Sequence, residues 1–373
     1  GRARLSASVR RRLHHEFWPA WVLYLPLLPY LLWLAVRHRG LLAFTAANPG
    51  VPAGGGLVGE SKRAILSGLQ ASGPGRAAVL AFESIGAEGA AERRAGAAAR
   101  AVGARPELGG WPVVIKPDMG WRGASVRVCH DESDAERFFA SIDRPAIVQR
   151  FHAGPGEVGV LWIRDPASVR DEGRRPAGSI YAITLKHFPS VVGDGRRTLE
   201  RLVLDDRRLR MQERAFAERH DERWREVLPE GERLRLVNAG NHYQGSRFTD
   251  GAHLITPELE RAIDEIASGY RGPNGAPLDF GRFDIRYADE DGLRAGRGLG
   301  IVELNGSTSE ATNIYDPGRS TWWAYGVLFG QWRRLFELGA ARRRAGGRAM
   351  RAHELVAMLW GYWRRPRAPA DSD

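Results

Sequence analysis

Three absences narrow the chemistry available to this 373-residue chain. It has one cysteine, Cys129, so it can form neither an internal disulfide nor a thiolate zinc cage, and the folded part is expected in a reducing compartment. No Gly-Lys-Ser or Gly-Lys-Thr follows a glycine loop, which excludes a Walker phosphate-binding loop. No serine stands in a nucleophile-elbow motif. Covalent catalysis through a cysteine or serine is therefore not expected.

The composition is that of a globular, basic protein. Hydrophobic residues make up 43% and charged residues 27%, with a formal net charge of +11 and a pI near 10.3. Such a charge suits an anionic partner, whether a nucleotide, a nucleic acid or an acidic membrane surface. No nucleic-acid-binding motif is present, and the aromatic residues cluster in an apolar stretch instead of alternating with basic ones. Nucleic-acid binding is therefore not predicted.

Residues 17–36 contain no charged side chain, although arginines flank them on both sides. The run has about the 20 apolar residues that a membrane-spanning helix needs. Pro19, Pro26 and Pro29 argue against one straight helix, and the tryptophans and tyrosines of the run favour a membrane interface. It also lacks the cleavage site of a signal peptide. We expect a kinked interfacial or re-entrant element, with a single span or a buried structural element as alternatives.

Four regions are predicted along the chain. Residues 1–50 form the basic, apolar, membrane-associating segment, and 51–110 a reduced N-terminal α/β region. Residues 111–320 form the main domain, and 321–373 two basic amphipathic helices with a frayed tail. The helices predicted at 321–339 and 353–367 either pack on the main domain or contact a membrane. Their sequence pattern fits both alternatives equally.

Periodicity predicts an α+β fold, because short β-branched runs alternate with helical segments and several strands look antiparallel. Strands are predicted at 41–45, 77–84, 112–116, 125–129, 146–150, 157–163, 179–186, 280–287 and 299–305. Helices are predicted from Ser61 to Gly73–Gly75, and at 87–102, 131–142, 197–226, 257–270 and 319–343.

Two strand–loop units have features suited to a nucleotide. Lys116 ends a strand and precedes a glycine loop, whose backbone N–H groups can cradle phosphate. In the second unit, a backbone edge at Gln149–Phe151 could contact an adenine ring, and Glu157 could accept hydrogen bonds from a ribose. Each feature taken alone is more often structural.

The segments "LDFGRFDIRY" and "GIVELNGSTSE" combine apolar strands with polar groups that share a face. Arg282 and Asp284 alternate with buried positions on one strand, as Glu303 and Asn305 do on another. If the two strands form a hairpin, the oxygens of Asp284, Glu303 and Asn305 converge. Such hard ligands suit Mg²⁺ rather than zinc, and a cation would offset the cost of burying the carboxylates.

Taken in order, these motifs resemble the ATP-grasp superfamily, particularly the carboxylate–amine ligases similar to D-alanine–D-alanine ligase, over residues 111 to about 320. The resemblance implies two α+β subdomains that clamp ATP. It implies that Lys116 and Lys186 hold the phosphates and that the loop with Met119, Gly120, Gly123 and Ser125 closes over them. Gln149, Arg150 and Phe151 match the adenine hinge, and Glu157 matches the ribose-binding glutamate. Asp284, Glu303 and Asn305 match the magnesium ligands. Arg282 matches the arginine that steadies charge on the reacting acyl group, and Lys186 is assigned a catalytic part with it.

The resemblance is incomplete at the substrate end. Gln149 stands where a glutamate is common, and "GSTSEATNIYDP" replaces the Thr-Ser-Pro-Gly-Met of D-alanine ligases, so recognition of D-alanine is not carried over. Segments 190–203 and 238–251 look more like cyanophycin synthetase and glutamate ligases. Asn238, Arg247 and Ser307 are the candidate substrate contacts.

The function that the resemblance implies is an ADP-forming ligase that uses ATP and Mg²⁺, or Mn²⁺, and acts through an acyl phosphate. Its partners would be a small-molecule or lipid-linked carboxylate, an amine acceptor (less readily a thiol or hydroxyl) and an acidic membrane surface. The expected place is the cytoplasmic face of the cell membrane, or otherwise the bacterial cytoplasm. The alternatives are a small-molecule phosphotransferase and a membrane-bound nucleotide-binding regulator without turnover.

Overall fold

Antiparallel strands form the framework of the computed structural model, which describes residues 15–57, 59–120, 126–171, 173–237 and 245–364. The strands make a four-stranded sheet of order β1-β4-β2-β3, a five-stranded sheet of order β11-β10-β5-β6-β9, and a small pair β7-β8. Their bounds are β1 Phe82–Ile85, β2 Val113–Pro117, β3 Arg127–Cys129, β4 Ala146–Arg150, β5 Gly156–Arg164, β6 Gly178–His187, β7 Ser190–Val192, β8 Arg233–Arg235, β9 Arg247–Asp250, β10 Phe280–Tyr287 and β11 Gly300–Asn305.

Helices connect and cover these sheets, which confirms the predicted mixture of helix and antiparallel strand. Their bounds are α1 Ala20–Tyr24, α2 Leu28–Arg37, α3 Pro52–Gly56, α4 Lys62–Leu69, α5 Gly73–Ala78, α6 Ala91–Ala104, α7 Glu132–Ala140, α8 Leu199–Asp205, α9 Glu213–Arg219, α10 Pro257–Ser268, α11 Glu290–Arg294, α12 Thr321–Arg344 and α13 Ala352–Trp363.

Both faces of the five-stranded sheet are covered, and the register decides what each side chain meets. On one face Trp162 and Phe283 pack with Ile263 of α10. On the other face Leu161 and Phe280 pack with α12. Further along β10 this second face changes from apolar to polar, because Arg282 and Asp284 follow Phe280 at intervals of two residues. The candidate site therefore lies on the face that α12 covers only in part.

The smaller sheet has its own core. Ala95 and Ala98 of α6 and Phe138 of α7 pack on the sheet. Strand β1, from the region predicted as a separate unit at 51–110, pairs with β4 from Phe82↔Gln149 to Ile85↔Ala146. One sheet therefore joins strands from the two sides of residue 111, and the division into regions stays a prediction.

The apolar N-terminal run is helical but broken at its prolines, as the sequence predicts. Pro19 caps α1, and Pro26 and Pro29 lie in the first turns of a 3-10 segment and of α2, where a proline's missing N–H is tolerated. Leu23 and Leu27 are buried against Ile314 and neighbouring side chains. Within the ranges that the structure describes, no helix has both the length and the hydropathy needed to cross a membrane.

Three predicted elements are wrong. The strand at 41–45 is a 3-10 turn at Ala43–Ala46, which fits under α12. Gly73 begins α5 instead of ending a helix, because the Ser72 hydroxyl accepts the N–H of Gly75 and caps it. The helix predicted at 197–226 is interrupted after Asp205, where the Asp206 carboxylate accepts the next free N–H groups.

Candidate functional site

The hairpin of β10 and β11 brings together the four polar groups that the alternation predicts. Asp284 stands opposite Glu303, and Arg282 stands opposite Asn305. Residues directly opposite one another in an antiparallel pair share a face of the sheet, and so do residues two apart on one strand. The four side chains therefore point to the same side.

A bulge in β11 adds Lys116 to this group. Glu303 pairs with Asp284 and Ile301 with Ile285, so Val302 is left as the extra residue. The Lys116 amine, on the other sheet, donates to the Val302 carbonyl oxygen at 2.8 Å. Burial lowers the pKa of Lys116 to about 8, although the Glu303 carboxylate opposes that shift. The contact joins the two sheets at the site.

Lys186 is the centre of a buried ion cluster. Its amine lies 2.8 Å from Oε1 of Glu157 and 3.0 Å from Oδ1 of Asp284. Burial would lower the pKa of Lys186, but the two carboxylates outweigh it and hold the pKa above its usual value. Burial would raise the pKa of Asp284, and the cations Lys186 and Arg282 hold it below the usual value instead. Lys186 and Asp284 are therefore both charged at neutral pH.

Arg286 completes this cluster on the side of Glu157. Its guanidinium donates to Oε2 of Glu157 at 3.2 Å and to the carbonyl oxygens of His152 and Gly154. Glu157 is thus held between Lys186 and Arg286.

Arg282 is fixed by the segment that follows β11. Its Nη1 donates to the carbonyl oxygen of Glu310 at 3.0 Å, and its Nε lies 3.4 Å from Oδ1 of Asp284. The Glu310 carboxylate in turn accepts from the hydroxyls of Tyr24 and Tyr315, at 2.8 Å and 2.7 Å. Tyr24 belongs to the apolar N-terminal run, which is therefore bonded to the residue that holds Arg282.

Two site residues were missed by the sequence analysis, Glu60 and Lys62. Nζ of Lys62, at the start of α4, lies 3.7 Å from Oε1 of Glu303 and 3.4 Å from the carbonyl oxygen of Gly120. The Glu60 carboxylate accepts the N–H of Gly306, directly after Asn305, at 3.1 Å. Burial raises the pKa of Glu60 to about 8, and the nearby Glu303 adds to that shift. Both residues approach the end of β11 from the N-terminal region.

A simple signal in the composition could have identified Lys62. Of 55 basic side chains in the chain, only three are lysines: Lys62, Lys116 and Lys186. The structure brings each of them to the polar end of β10–β11, within 4 Å of an oxygen of that cluster. Every lysine of this otherwise arginine-rich chain therefore lies at the candidate site.

The predicted adenine edge is only partly free. Strand β4 is central in its sheet, and the backbone N–H of Arg150 already donates to the Ala81 carbonyl. The Gln149 side chain is buried and its amide lies 3.3 Å from the Leu80 carbonyl oxygen. The Arg150 side chain is exposed, and Phe151 follows the end of the strand. The backbone is therefore already paired at Gln149 and Arg150, the first two residues of the predicted edge.

The glycine loop is described only at its beginning. Met119 and Gly120 are exposed next to Lys62. The predicted contacts Gly123, Ser125 and Asn238 lie outside the described residues. Their assignment stays a prediction from the resemblance.

Two of the candidate substrate contacts are not brought to the cluster. Arg247 stands opposite His187 while Phe248 stands opposite Lys186, so alternation directs Arg247 to the other face of the sheet. Ser307 is fully buried, and its hydroxyl accepts from the Asn48 amide at 3.1 Å. Ser307 therefore holds the loop containing Asn48 instead of facing a substrate.

The donor set at β10–β11 fits a hard divalent cation. Asp284, Glu303 and Asn305 offer two carboxylates and one amide on one face, the oxygen ligands that Mg²⁺ takes in proteins. Among the described residues, no cluster of three or more His, Cys, Asp or Glu side chains could hold a metal. Any cation here would thus depend on the amide of Asn305, on water and on substrate oxygens.

Comparisons with known proteins give partial likenesses to solved structures. No protein-family model matches the chain, and no curated protein does. Among solved structures, the chain is similar to a bifunctional glutathione synthetase from Pasteurella multocida (TM-score 0.36, 16% identity), covering 72% of this chain and 35% of the other. It is similar to the D-cycloserine synthetase DcsG, with a TM-score of 0.39 and 14% identity, over 73% of this chain and 70% of the other. It is also similar to a D-alanine–D-alanine ligase from Bacillus anthracis, with a TM-score of 0.39 and 10% identity, over 77% of this chain and 68% of the other.

The chain spans about a third of the length of the glutathione synthetase, at 35%. The TM-scores describe a partial likeness in fold, and the function proposed below rests on the residues of this chain.

Proposed function

We propose that the chain is an ATP-dependent, ADP-forming ligase that joins a carboxylate to an amine through an acyl phosphate. The observation that carries the proposal is the convergence of all three lysines on the strand ends that bear Arg282, Asp284, Glu303 and Asn305. A triphosphate is the kind of substrate that needs several cations together with hard-oxygen metal ligands. The ligase chemistry itself comes from the motif resemblance, and the three similar solved proteins are named as ligases or synthetases.

The reaction has two balanced steps. A carboxylate oxygen attacks the γ-phosphorus of ATP, which breaks the bond to the β-phosphate oxygen and releases ADP. An amine then attacks the acyl carbon, the carbon–oxygen bond to phosphate breaks, and the amine gives up a proton. No covalent link to the protein is needed, so the enzyme contributes positioning and charge.

Each side chain has a part that follows from its place. The point charges of Lys62, Lys116 and Lys186 attract and position the phosphates. Arg282, fixed by Glu310, stabilises negative charge on the reacting acyl group. A bound Mg²⁺, held by Asp284, Glu303 and Asn305, would neutralise phosphate charge.

The test is ATP- and Mg²⁺-dependent hydroxamate formation. Hydroxylamine traps an acyl phosphate, so the purified chain is offered amino acids, peptides and fatty acids in separate reactions. We expect a hydroxamate with one class of carboxylate. It should fall by about 10²-fold or more in Glu303→Gln, since one transition-state charge contact is lost. The matched control is Glu258→Gln, an exposed glutamate on α10.

The alternatives give different results in the same assay. ADP release without hydroxamate, also lost in Glu303→Gln, would indicate phosphoryl transfer to a hydroxyl. ATP binding without any ADP release, across carboxylates and alcohols, would favour a regulator and contradict the proposal.

A further inference from the structure

One surface of the molecule combines exposed apolar side chains with clustered arginine. Of the thirteen large apolar side chains that are exposed among the described residues, seven lie between residues 21 and 41. Five of these follow one another at helical spacing of three or four residues: Trp21, Leu25, Leu28, Leu32 and Val36. We call these five the apolar stripe. Trp21 is 71% exposed and Val36 78%.

The stripe lies on helices whose opposite side is already buried. Leu23, Leu27 and Leu34 face inward and pack with Ile314 and Phe336. A helix that only covers a protein core carries polar residues on its outer side. Here both sides are apolar, so the outer side is suited to a second apolar partner.

Aromatic rings extend this surface sideways to helix α12. Tyr30 stacks on Trp33 at 5.6 Å between ring centroids and meets Phe329 edge-on at 4.7 Å. Phe329 neighbours Tyr325, which neighbours Trp322 at 6.3 Å. Trp33 and Trp322 are both more than half exposed. Tryptophan and tyrosine at the rim of an apolar surface are typical of contact with lipid headgroups.

The charge beside the stripe is positive. Arg37 is the last residue of α2 and Arg39 follows two residues later, and the guanidinium of Arg343 donates to the carbonyl oxygens of His38 and Arg39. The acid near this end is Glu337, which lies 3.9 Å from Arg333. No Asp or Glu occurs in the sequence from residue 17 to 59, and residues 1–14 contain five arginines and no acid. An apolar face edged with arginine suits an anionic bilayer.

We propose that the apolar stripe and the arginines at the end of α2 dock this protein on the surface of a bilayer that contains anionic phospholipid. The rings insert at the depth of the headgroups, and the arginines pair with lipid phosphate. This inference is independent of the proposed ligase function, because its test measures binding and not turnover.

The buried side of the same helices fixes the orientation of the site toward the bilayer. Tyr24 binds Glu310, whose carbonyl oxygen binds Arg282. A docked molecule would therefore hold its Arg282 side at a constant distance from the lipid.

The experiment is sedimentation of the full chain with sucrose-loaded vesicles of phosphatidylcholine, with and without one-third phosphatidylglycerol. We expect binding to the mixed vesicles and weak binding to pure phosphatidylcholine. The variant Trp21→Ser/Val36→Ser should bind about 10-fold more weakly or worse, because two inserted side chains are lost. The variant Arg37→Gln/Arg39→Gln should lose about fivefold for each arginine removed.

Matched controls are present in the chain. Val192 and Val227, at the unit formed by β7 and β8, are exposed at 48% and 45%, so Val192→Ser/Val227→Ser should bind as wild type does. Arg261 and Arg297 are exposed, and α10, which carries Arg261, covers the face of the sheet opposite α12. Arg261→Gln/Arg297→Gln should leave binding unchanged. Each variant is checked for an unchanged thermal midpoint.

Three outcomes would overturn the proposal. One is a wild type that does not sediment with the anionic vesicles. The second is that Trp21→Ser/Val36→Ser binds the vesicles as tightly as wild type does, which would mean that charge alone accounts for the binding. The third is concentration-dependent dimerisation that Trp21→Ser/Val36→Ser abolishes, without vesicle binding, which would make this face an interface between copies.

Discussion

Replacing Lys186 by methionine tests the buried cluster most directly, because the change keeps the length of the side chain and removes its charge. Lys186 lies 2.8 Å from Glu157 and 3.0 Å from Asp284, and all three side chains are nearly inaccessible to solvent. Removing one partner of a buried ion pair costs about 3–5 kcal/mol. Glu157 keeps Arg286, and Asp284 keeps Arg282. We therefore expect the lower end of that range, about 3 kcal/mol at pH 7.

The loss should depend on pH with a definite sign. The pKa of Asp284 is held below its usual 3.8, so the stability it contributes is present above that value and is lost as the pH falls through the folded-state pKa. Without Lys186 the Asp284 pKa rises, and protonation on acidification relieves the unpaired charge. The pKa of Lys186 is raised above 10.5, so its own contribution is present below 10.5 and is lost as the pH rises through the folded-state pKa. The deficit of Lys186→Met should therefore be the same at pH 7 and pH 9, which both lie below 10.5, and smaller at pH 4.5, where the unpaired Asp284 can take up a proton.

The assay is urea unfolding of wild type, Lys186→Met and the double variant Lys186→Met/Asp284→Asn, followed by tryptophan fluorescence at pH 4.5, 7 and 9. The double variant should regain part of the loss, since it no longer buries an unpaired carboxylate. If Lys186→Met at pH 7 were within about 0.5 kcal/mol of wild type, or if its deficit were the same at all three pH values, the cluster would not be the charged, buried one described here.

Three further predictions concern the site and its support. Glu60→Gln should be more stable than wild type by more than about 1 kcal/mol at pH 8 and not at pH 4.5. The reason is that the Glu60 pKa is raised to about 8, so wild type loses stability as the pH climbs from 4.5 to that value; a difference independent of pH in urea unfolding would contradict this. Because the chain has three lysines, an amine-reactive reagent read by peptide mass spectrometry reports mainly on the site, and ATP with Mg²⁺ should slow modification of Lys62 and Lys116 several-fold. If saturating ATP did not change the labelling rate, the lysines would not contact the bound nucleotide. Asp279→Asn should cost about 3–5 kcal/mol, because buried Asp279 is paired with two arginines, whereas exposed Asp143→Asn should cost nothing measurable in the same unfolding experiment.

Local pattern was sufficient for most of the sheet framework. Strand β4 and strand β10 have the bounds predicted for them, because β4 begins with a short apolar run and polar and apolar residues alternate along β10 from Arg282 to Tyr287. The same alternation predicted that Asp284 and Glu303 meet. It failed where a single side chain decides the outcome, as when Asp206 ends α8 by accepting two N–H groups. Caps of this kind leave little trace in periodicity.

The contacts that complete the site join distant parts of the chain, and periodicity carries no information about them. Glu60 and Gly306 are 246 residues apart, and Lys116 and Val302 are 186 apart. Periodicity also did not predict that β1 pairs with β4 across residue 111. Alternation likewise could not reveal that Arg247 faces away from Lys186, because the pairing register of β9 was unknown.

The different chemistry of lysine and arginine explains why the amino-acid composition could identify Lys62, whereas the sequence pattern did not. Arginine is a planar donor that suits salt bridges and carbonyl groups, and here it fills the structural roles, such as the pairing of Asp279 with Arg164 and Arg342. Lysine is a compact charge with rotatable donors, which can turn from a carboxylate to a phosphate without a fixed fork geometry. This chain uses arginine almost everywhere else. Three lysines near the ends of β10 and β11 therefore indicate a site where a positive charge moves from a protein carboxylate to a bound phosphate. Lys186→Arg should therefore keep the fold, because the charge remains, but it should lower the rate of ADP formation. If Lys186→Arg and Lys186→Met lost the same stability, the charge of Lys186 would not be what stabilises the fold.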